Sequence, residues 1–277
     1  MSRINFLETI IERKRVRLNV SKQTKSAEVL RSEALYRRTK KTSGAFRRAI
    51  TSDAINIIAE FKRASPSQGA INRNAQVIET ARSYKAGGAA AISILTEEDF
   101  FLGSLEDLRS VAIWSEGEEV RLPLLRKDFI FDEYQIYEAA AAGADAVLLI
   151  VALLNDAQLS QLLNSIENEF QMDALVEVHS IDEMERALEC GARTIGVNNR
   201  DLRTFEVSID TSFELAQAAP KGVTLISESG LNSAAEIHAL HDVGFKAFLL
   251  GESLMRSADP EGSLRNLIEL SKSHAIR

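Results

Sequence analysis

The chain lacks most of what would place it outside the ordinary globular chains. It has one cysteine, Cys190, in 277 residues, so no intramolecular disulfide and no multi-thiolate metal site can be built. Its four prolines and fourteen glycines are too few for a loop-rich chain and favour long regular elements. Long hydrophobic runs are missing too. The longest, Ala146 to Leu154, falls far short of the ~20 residues a bilayer demands. The N-terminus has no apolar signal core, and a reducing cytoplasm is the simplest compartment. His179, His238, His241 and His274 show no metal-ligand spacing, and His238 and His241 read as a surface pair. Cys190, at a helix end, reads as a small packing residue.

What is present is a 45% hydrophobic, 26% charged chain with a formal charge of −7, unevenly spread. Residues 1–50 hold fourteen Lys/Arg against four Asp/Glu, and the remainder nineteen against thirty-six. Glu8 and Glu12 argue against a transit peptide. Aromatic platforms for bases are scarce, limited to Phe6, Tyr36 and Phe46, so no nucleic-acid partner is expected. Phe6, Leu7, Ile10 and Ile11 recur at helical spacing. Residues 1–50 therefore read as a helical extension packed on the main domain. Its positive charge also suits attraction of an anionic substrate.

From residue 55 a short apolar run followed by a longer amphipathic stretch occurs eight times. The runs are Ile55–Glu60, Ala89–Ile94, Leu122–Leu125, Ala146–Ile150, Ala174–Val178, Thr194–Val197, Thr224–Ser227 and Ala247–Leu250. Helices are expected at Asp132–Ala142, Asp156–Glu169, Ser180–Glu189 and Ser233–Val243, several of them closed by a glycine such as Gly143 or Gly191. Trp114–Arg121 reads as a surface loop. Eight such units predict an α/β fold, a (β/α)₈ TIM barrel over 51–277, as one domain behind the extension. A doubly wound open sheet is weaker, because no G-x-G-x-x-G follows the first strand.

Barrels of this kind work at the C-terminal ends of their strands. Glu60, Lys62, Lys127, Glu177 and Glu228 all stand there. Glu60 and Lys62 are two apart and share a face. Opposite charges in a poorly solvated mouth shift one another's pKa and can serve as acid and base. Ser229-Gly230 after the seventh run, and Gly251-Glu252-Ser253 after the eighth, occupy the usual phosphate-binding loops of the fold. A phosphorylated small molecule is the expected partner.

The motifs Ile58-Ala59-Glu60-Phe61-Lys62-Arg63-Ala64-Ser65-Pro66-Ser67 and Leu125-Arg126-Lys127-Asp128-Phe129-Ile130 resemble those of indole-3-glycerol phosphate synthases. So do Leu175-Val176-Glu177-Val178-His179, Gly196-Val197-Asn198-Asn199-Arg200-Asp201-Leu202, Ser227-Glu228-Ser229-Gly230 and Leu249-Leu250-Gly251-Glu252-Ser253. The resemblance runs from about Phe6 past the eighth strand. It implies ring closure of 1-(2-carboxyphenylamino)-1-deoxyribulose 5-phosphate to indole-3-glycerol phosphate, with loss of carbon dioxide and water and without metal or organic cofactor. It implies Lys127 as general acid and Glu177 as general base, with Glu60 and Asn198 on the substrate hydroxyls. Lys62 would position the substrate anion and share acid duty, and Glu228 would tune the lysines. Arg200 and Ser65 would meet the aromatic carboxylate. Phe101, Phe129, Leu148 and Leu202 would wall the ring, and Ser229, Gly230, Gly251 and Glu252 would bind phosphate through the backbone.

Phosphoribosylanthranilate isomerase, a neighbouring barrel enzyme, would put a cysteine at the end of strand one, where Glu60-Phe61-Lys62 stands here. A tryptophan synthase α subunit would lack Lys127. A non-catalytic phosphate binder could dispense with Lys127 or Glu177, and both are present. The strongly basic extension leaves room for association with other tryptophan-pathway enzymes, and for a nucleic-acid adaptor whose binding would depend on salt. The sequence ends after one barrel, so no fused isomerase is expected.

Overall fold

Side chains alternate across each strand, and that period of two sorts the molecule into two cores. In the computed structural model, which describes residues 6–273 apart from 53, 202, 203 and 232, eight parallel strands form a closed barrel. They are β1 (Asn56–Phe61), β2 (Ala91–Leu95), β3 (Leu124–Lys127), β4 (Ala146–Ile150), β5 (Asp173–Val178), β6 (Thr194–Asn198), β7 (Thr224–Glu228) and β8 (Phe245–Leu250). The first strand pairs with the last, Ile58 against Leu249, which closes the ring. Inward positions such as Ile58, Ala91, Leu125, Leu148, Leu175, Ile226 and Leu249 fill the barrel. Outward positions such as Ile57, Ile92, Leu124, Val147, Val176 and Phe248 pack against the helical ring.

That ring comprises α4 (Val77–Ala86), α5 (Leu105–Glu116), α6 (Glu133–Ala142), α7 (Asp156–Asn164), α8 (Ile181–Glu189), α9 (Asp210–Ala218), α10 (Ala234–Asp242), α11 (Glu252–Arg256) and α12 (Pro260–Ser273). Gly143 closes α6 at φ +96°, where a side chain would be strained. Two expectations shift. The helix expected over Asp156–Glu169 is α-helical only to Asn164 and finishes as a π turn, Ser165–Glu169. Trp114–Glu116 extends α5 rather than opening a loop, because Trp114 packs on the core beside the stripe of Leu108, Val111 and Ala112. Cys190 is half-buried, its thiol 3.5 Å from the Asp156 carbonyl.

Three helices precede the barrel: α1 (Phe6–Thr24), α2 (Ala27–Arg38) and α3 (Ala45–Ile50). Ile10 of α1 is buried in one cluster with Leu7, Ile11, Phe100, Phe101 and Phe129. α2 lies along α6, joined by a small apolar cluster of Leu18, Leu30 and Tyr134. α3 closes the other end, with Phe46 and Ile50 fully buried and the Arg47 N–H donating to Asp173 at the start of β5.

The uneven charge now has a physical account. Lys14 pairs with Asp128 at 2.8 Å, Arg17 with Asp99 at 2.6 Å, Lys22 with Asp132 at 2.7 Å and Arg31 with Glu169 at 2.6 Å. Arg37 and Lys41 share Glu116, and buried Arg38 donates to the carbonyls of Ala144, Phe170 and Gln171. The basic segment is complementary to its own acidic barrel.

Candidate active site

The inward phase of the strands places Glu60, Lys127, Glu177, Asn198 and Glu228 one layer above the apolar filling of the barrel, at the rim of a cavity of about 560 Å³. Lys62 follows β1, and its Nζ is 2.6 Å from Glu60 Oε1, as their shared face predicts. Lys127 is the centre of the charge pattern. Its Nζ lies 2.6 Å from Glu228 Oε2 and 3.3 Å from Glu177 Oε2. Burial works against the ammonium, but the fields of Glu228, Glu177 and Glu60 outweigh it and raise its pKa. Lys127 therefore stands in the site as an ammonium.

Glu228 answers in the opposite sense. Burial pushes its carboxyl up to about 7, against the attraction of Lys127 and with the like charge of Glu177 adding to the rise. Its Oε1 is buried with no hydrogen-bond partner among the described residues. That oxygen lies where a side chain on Gly196 would begin, so the glycine in β6 is what admits the carboxylate. Gly251 does the same for Glu60, whose Oε1 occupies the space of its missing Cβ. Asn198 Nδ2 donates to Glu177 Oε1 at 3.0 Å, and Asn198 Oδ1 accepts from the Arg200 N–H at 3.0 Å. The Asn198 amide thus orients Glu177. His179 Nδ1–H donates to the Asn198 carbonyl at 2.8 Å and braces the same strand end.

One side of the cavity is apolar: Phe101 and Phe129, with ring centroids 6.1 Å apart, and Leu148. Leu202 lies outside the described residues. Ser65 lines the cavity from the short hairpin of Ala64–Ser65 and Gly69–Ala70 after β1. Arg200 lines it from the loop after β6, its guanidinium 3.3 Å from the Phe205 carbonyl. The pairing of β7 with β8 sets Ser229-Gly230 beside Gly251-Glu252. The Glu252 carboxylate pairs with Arg256 at 3.1 Å, and both residues line the cavity.

The profile of the indole-3-glycerol phosphate synthase family matches residues 7–267. The chain is 44% identical to the indole-3-glycerol phosphate synthase of Carboxydothermus hydrogenoformans over 95% of its own length and 99% of that protein's. It is 42% identical to the one from Lachnoclostridium phytofermentans over 96% and 99%. The chain belongs to the indole-3-glycerol phosphate synthase family. Among solved structures, 3-hexulose-6-phosphate synthase from Salmonella typhimurium superposes with a TM-score of 0.62 over 79% of this chain and all of that one, at 14% identity. At that distance it supports the barrel alone.

The synthase is a carboxy-lyase of tryptophan biosynthesis. It closes the indole ring of its phosphorylated substrate, releasing carbon dioxide and water. Every described residue expected at the site lines the one cavity. Sequence reasoning passed over several others. Arg256 adds a cation beside Glu252, and Phe205 and Val207 reach the cavity from the loop after β6. Gly196 makes room for Glu228. Only Gly196 left a usable trace, a glycine inside a run that otherwise reads as strand.

Proposed function

We propose that in this indole-3-glycerol phosphate synthase Lys127 protonates the ketose carbonyl oxygen as the aromatic ring carbon attacks. The carbon–carbon bond forms, the carbonyl becomes a hydroxyl, and the ring carboxylate leaves as carbon dioxide. The single observation that supports this is the Lys127 ammonium held between Glu228 and Glu177 in the cavity lining. An ammonium there both donates a proton and stabilises the oxygen that gains charge. Glu177, oriented by Asn198, then takes the proton lost from the closed ring, while the Lys62 ammonium gives a proton to the hydroxyl so that it departs as water. Lys62, paired with Glu60, positions the substrate anion and supports the acid step, while Glu60 holds a hydroxyl.

Arg200 and Ser65 face the aromatic carboxylate, and Phe101, Phe129 and Leu148 hold the ring in a wall that disfavours a solvated carboxylate. The backbone of Ser229, Gly230, Gly251 and Glu252 receives the phosphate. In this reading residues 1–50 form an extension packed on a single catalytic domain, 51–277, working in the cytoplasm. Lys14, Arg17 and Arg31 of the extension pair with carboxylates of its own barrel, so no pathway partner is needed to account for them.

The test is Lys127→Ala with indole fluorescence as the readout. General acid catalysis contributes roughly 10²–10⁴ in rate, so kcat should fall by about that factor while KM changes far less. Turnover near that of the unsubstituted enzyme would remove Lys127 from the acid role.

A further inference from the structure

Asn199 stands one residue beyond the mouth residue Asn198 and is buried, 1% exposed. It spends its whole amide on protein. Nδ2 donates to the Ser229 carbonyl at 3.0 Å and to Ser227 Oγ at 3.0 Å. Oδ1 accepts from the Ser212 N–H at 3.2 Å and the Ser212 hydroxyl at 2.8 Å. The hydroxyls of Ser212 and Ser227 are themselves 2.9 Å apart. Its N–H donates to the Glu228 carbonyl at 2.9 Å. One buried side chain thus ties the end of β6, the first turn of α9 and the exit of β7 together.

What it holds at β7 is an unusual turn. Ser229 has φ +65° and Gly230 φ +75°. Glycine takes that region freely, whereas serine there is costly and persists only where the surroundings over-determine it. The Asn199 amide on the Ser229 carbonyl is such a constraint, and it is anchored from behind by two serine hydroxyls.

We propose that Asn199 is the positioning residue of the phosphate-binding turn: by gripping the Ser229 carbonyl it fixes Ser229-Gly230 in the left-handed geometry that receives the substrate phosphate. Asn199 itself touches no substrate. This rests on the reading that Ser229-Gly230 binds phosphate, and the test separates the two.

The measurement is the ratio of dissociation constants for indole-3-glycerol and indole-3-glycerol phosphate, which reports what the phosphate contributes to binding. Loss of one well-formed buried hydrogen bond corresponds to roughly a tenfold change. Asn199→Ala should lower the ratio by about that factor, with kcat at saturation falling less. Ser212→Ala, which removes only the outer anchor, should lower it by about two- to threefold. A folded Asn199→Ala protein with an unchanged ratio overturns the proposal, as does a loss confined to kcat. If Asn199→Ala does not fold, an unchanged ratio in folded Ser212→Ala overturns it equally. Gly230→Ala is the control on the underlying reading. A lowered ratio there beside an unchanged one in Asn199→Ala rejects only the positioning role. An unchanged ratio in Gly230→Ala rejects the phosphate turn and the proposal with it.

Discussion

Glu228 bears a costly charge at the mouth, since one of its oxygens meets Lys127 and the other meets no partner among the described residues. Its folded pKa, near 7, lies above the ordinary 4.5 of a glutamate. A carboxyl raised in the folded state contributes stability that is complete below its unfolded pKa and lost as pH climbs through the folded one. Stability should therefore decline between about pH 5 and pH 8 by on the order of 2–3 kcal/mol from this group. Glu228→Gln cannot ionise and should flatten that part of the curve, as followed by urea midpoints across pH. An equal decline in the variant would show that the slope belongs to another group. Gly196 sets a steric limit on the same carboxylate. Gly196→Ala should displace Glu228, at roughly 1–3 kcal/mol of stability, and cut kcat more than it raises KM. An alanine variant with normal turnover would mean that the carboxylate can relax without cost. The identity and inward phase of Glu228 were legible from the strand pattern. The need for Gly196 was not, because the atom it avoids belongs to a residue on the neighbouring strand.

At the scale of elements, α1 shows which of its contacts matter. Pairs such as Arg17–Asp99 and Lys22–Asp132 join half-exposed side chains, and pairs of that kind contribute about 0–1 kcal/mol each. Burying Ile10 contributes roughly 1.5–3 kcal/mol. Lys14 differs from the surface pairs. It is 5% exposed and meets Asp128, which also takes Arg126 at 3.0 Å and the Thr96 hydroxyl at 2.6 Å. Burial penalises the Lys14 ammonium, but Asp128 overcomes this and raises its pKa. Breaking a buried pair by removing one partner costs about 3–5 kcal/mol. Lys14→Met should sit near the low end, since Asp128 keeps Arg126. Urea unfolding would measure it, with Arg17→Met as the near-neutral comparison. Equal effects from both substitutions would contradict this ranking. The amphipathic spacing of Leu7, Ile10 and Ile11 announced a docked helix. The docking site, over Phe100, Phe101 and Phe129, depends on loops nearly a hundred residues away.

For the whole molecule, Lys14, Arg17, Lys22, Arg31, Arg37 and Lys41 of the basic extension are paired with carboxylates of the acidic barrel. Duplex DNA or RNA should therefore show no binding near 0.1 M salt, where exposed charges more than ~10 Å apart are already screened. A gel shift that weakens steeply with added salt would instead assign the extension a nucleic-acid partner. The sequence by itself determined the barrel, because eight apolar runs with a period of two and intervening helical stretches admit few other closures. It also determined which residues reach the mouth, since strand phase alone decides that. The Glu60–Lys62 pair was legible for the same local reason, two residues apart on one strand. Only the tertiary structure decided that Lys127 pairs with Glu228 and Glu177, 101 and 50 residues away, and that Asn198 serves Glu177. Those choices follow from the closure of β1 on β8 and the width of the ring. Both bring distant strand ends within hydrogen-bonding distance, and no local pattern encodes either.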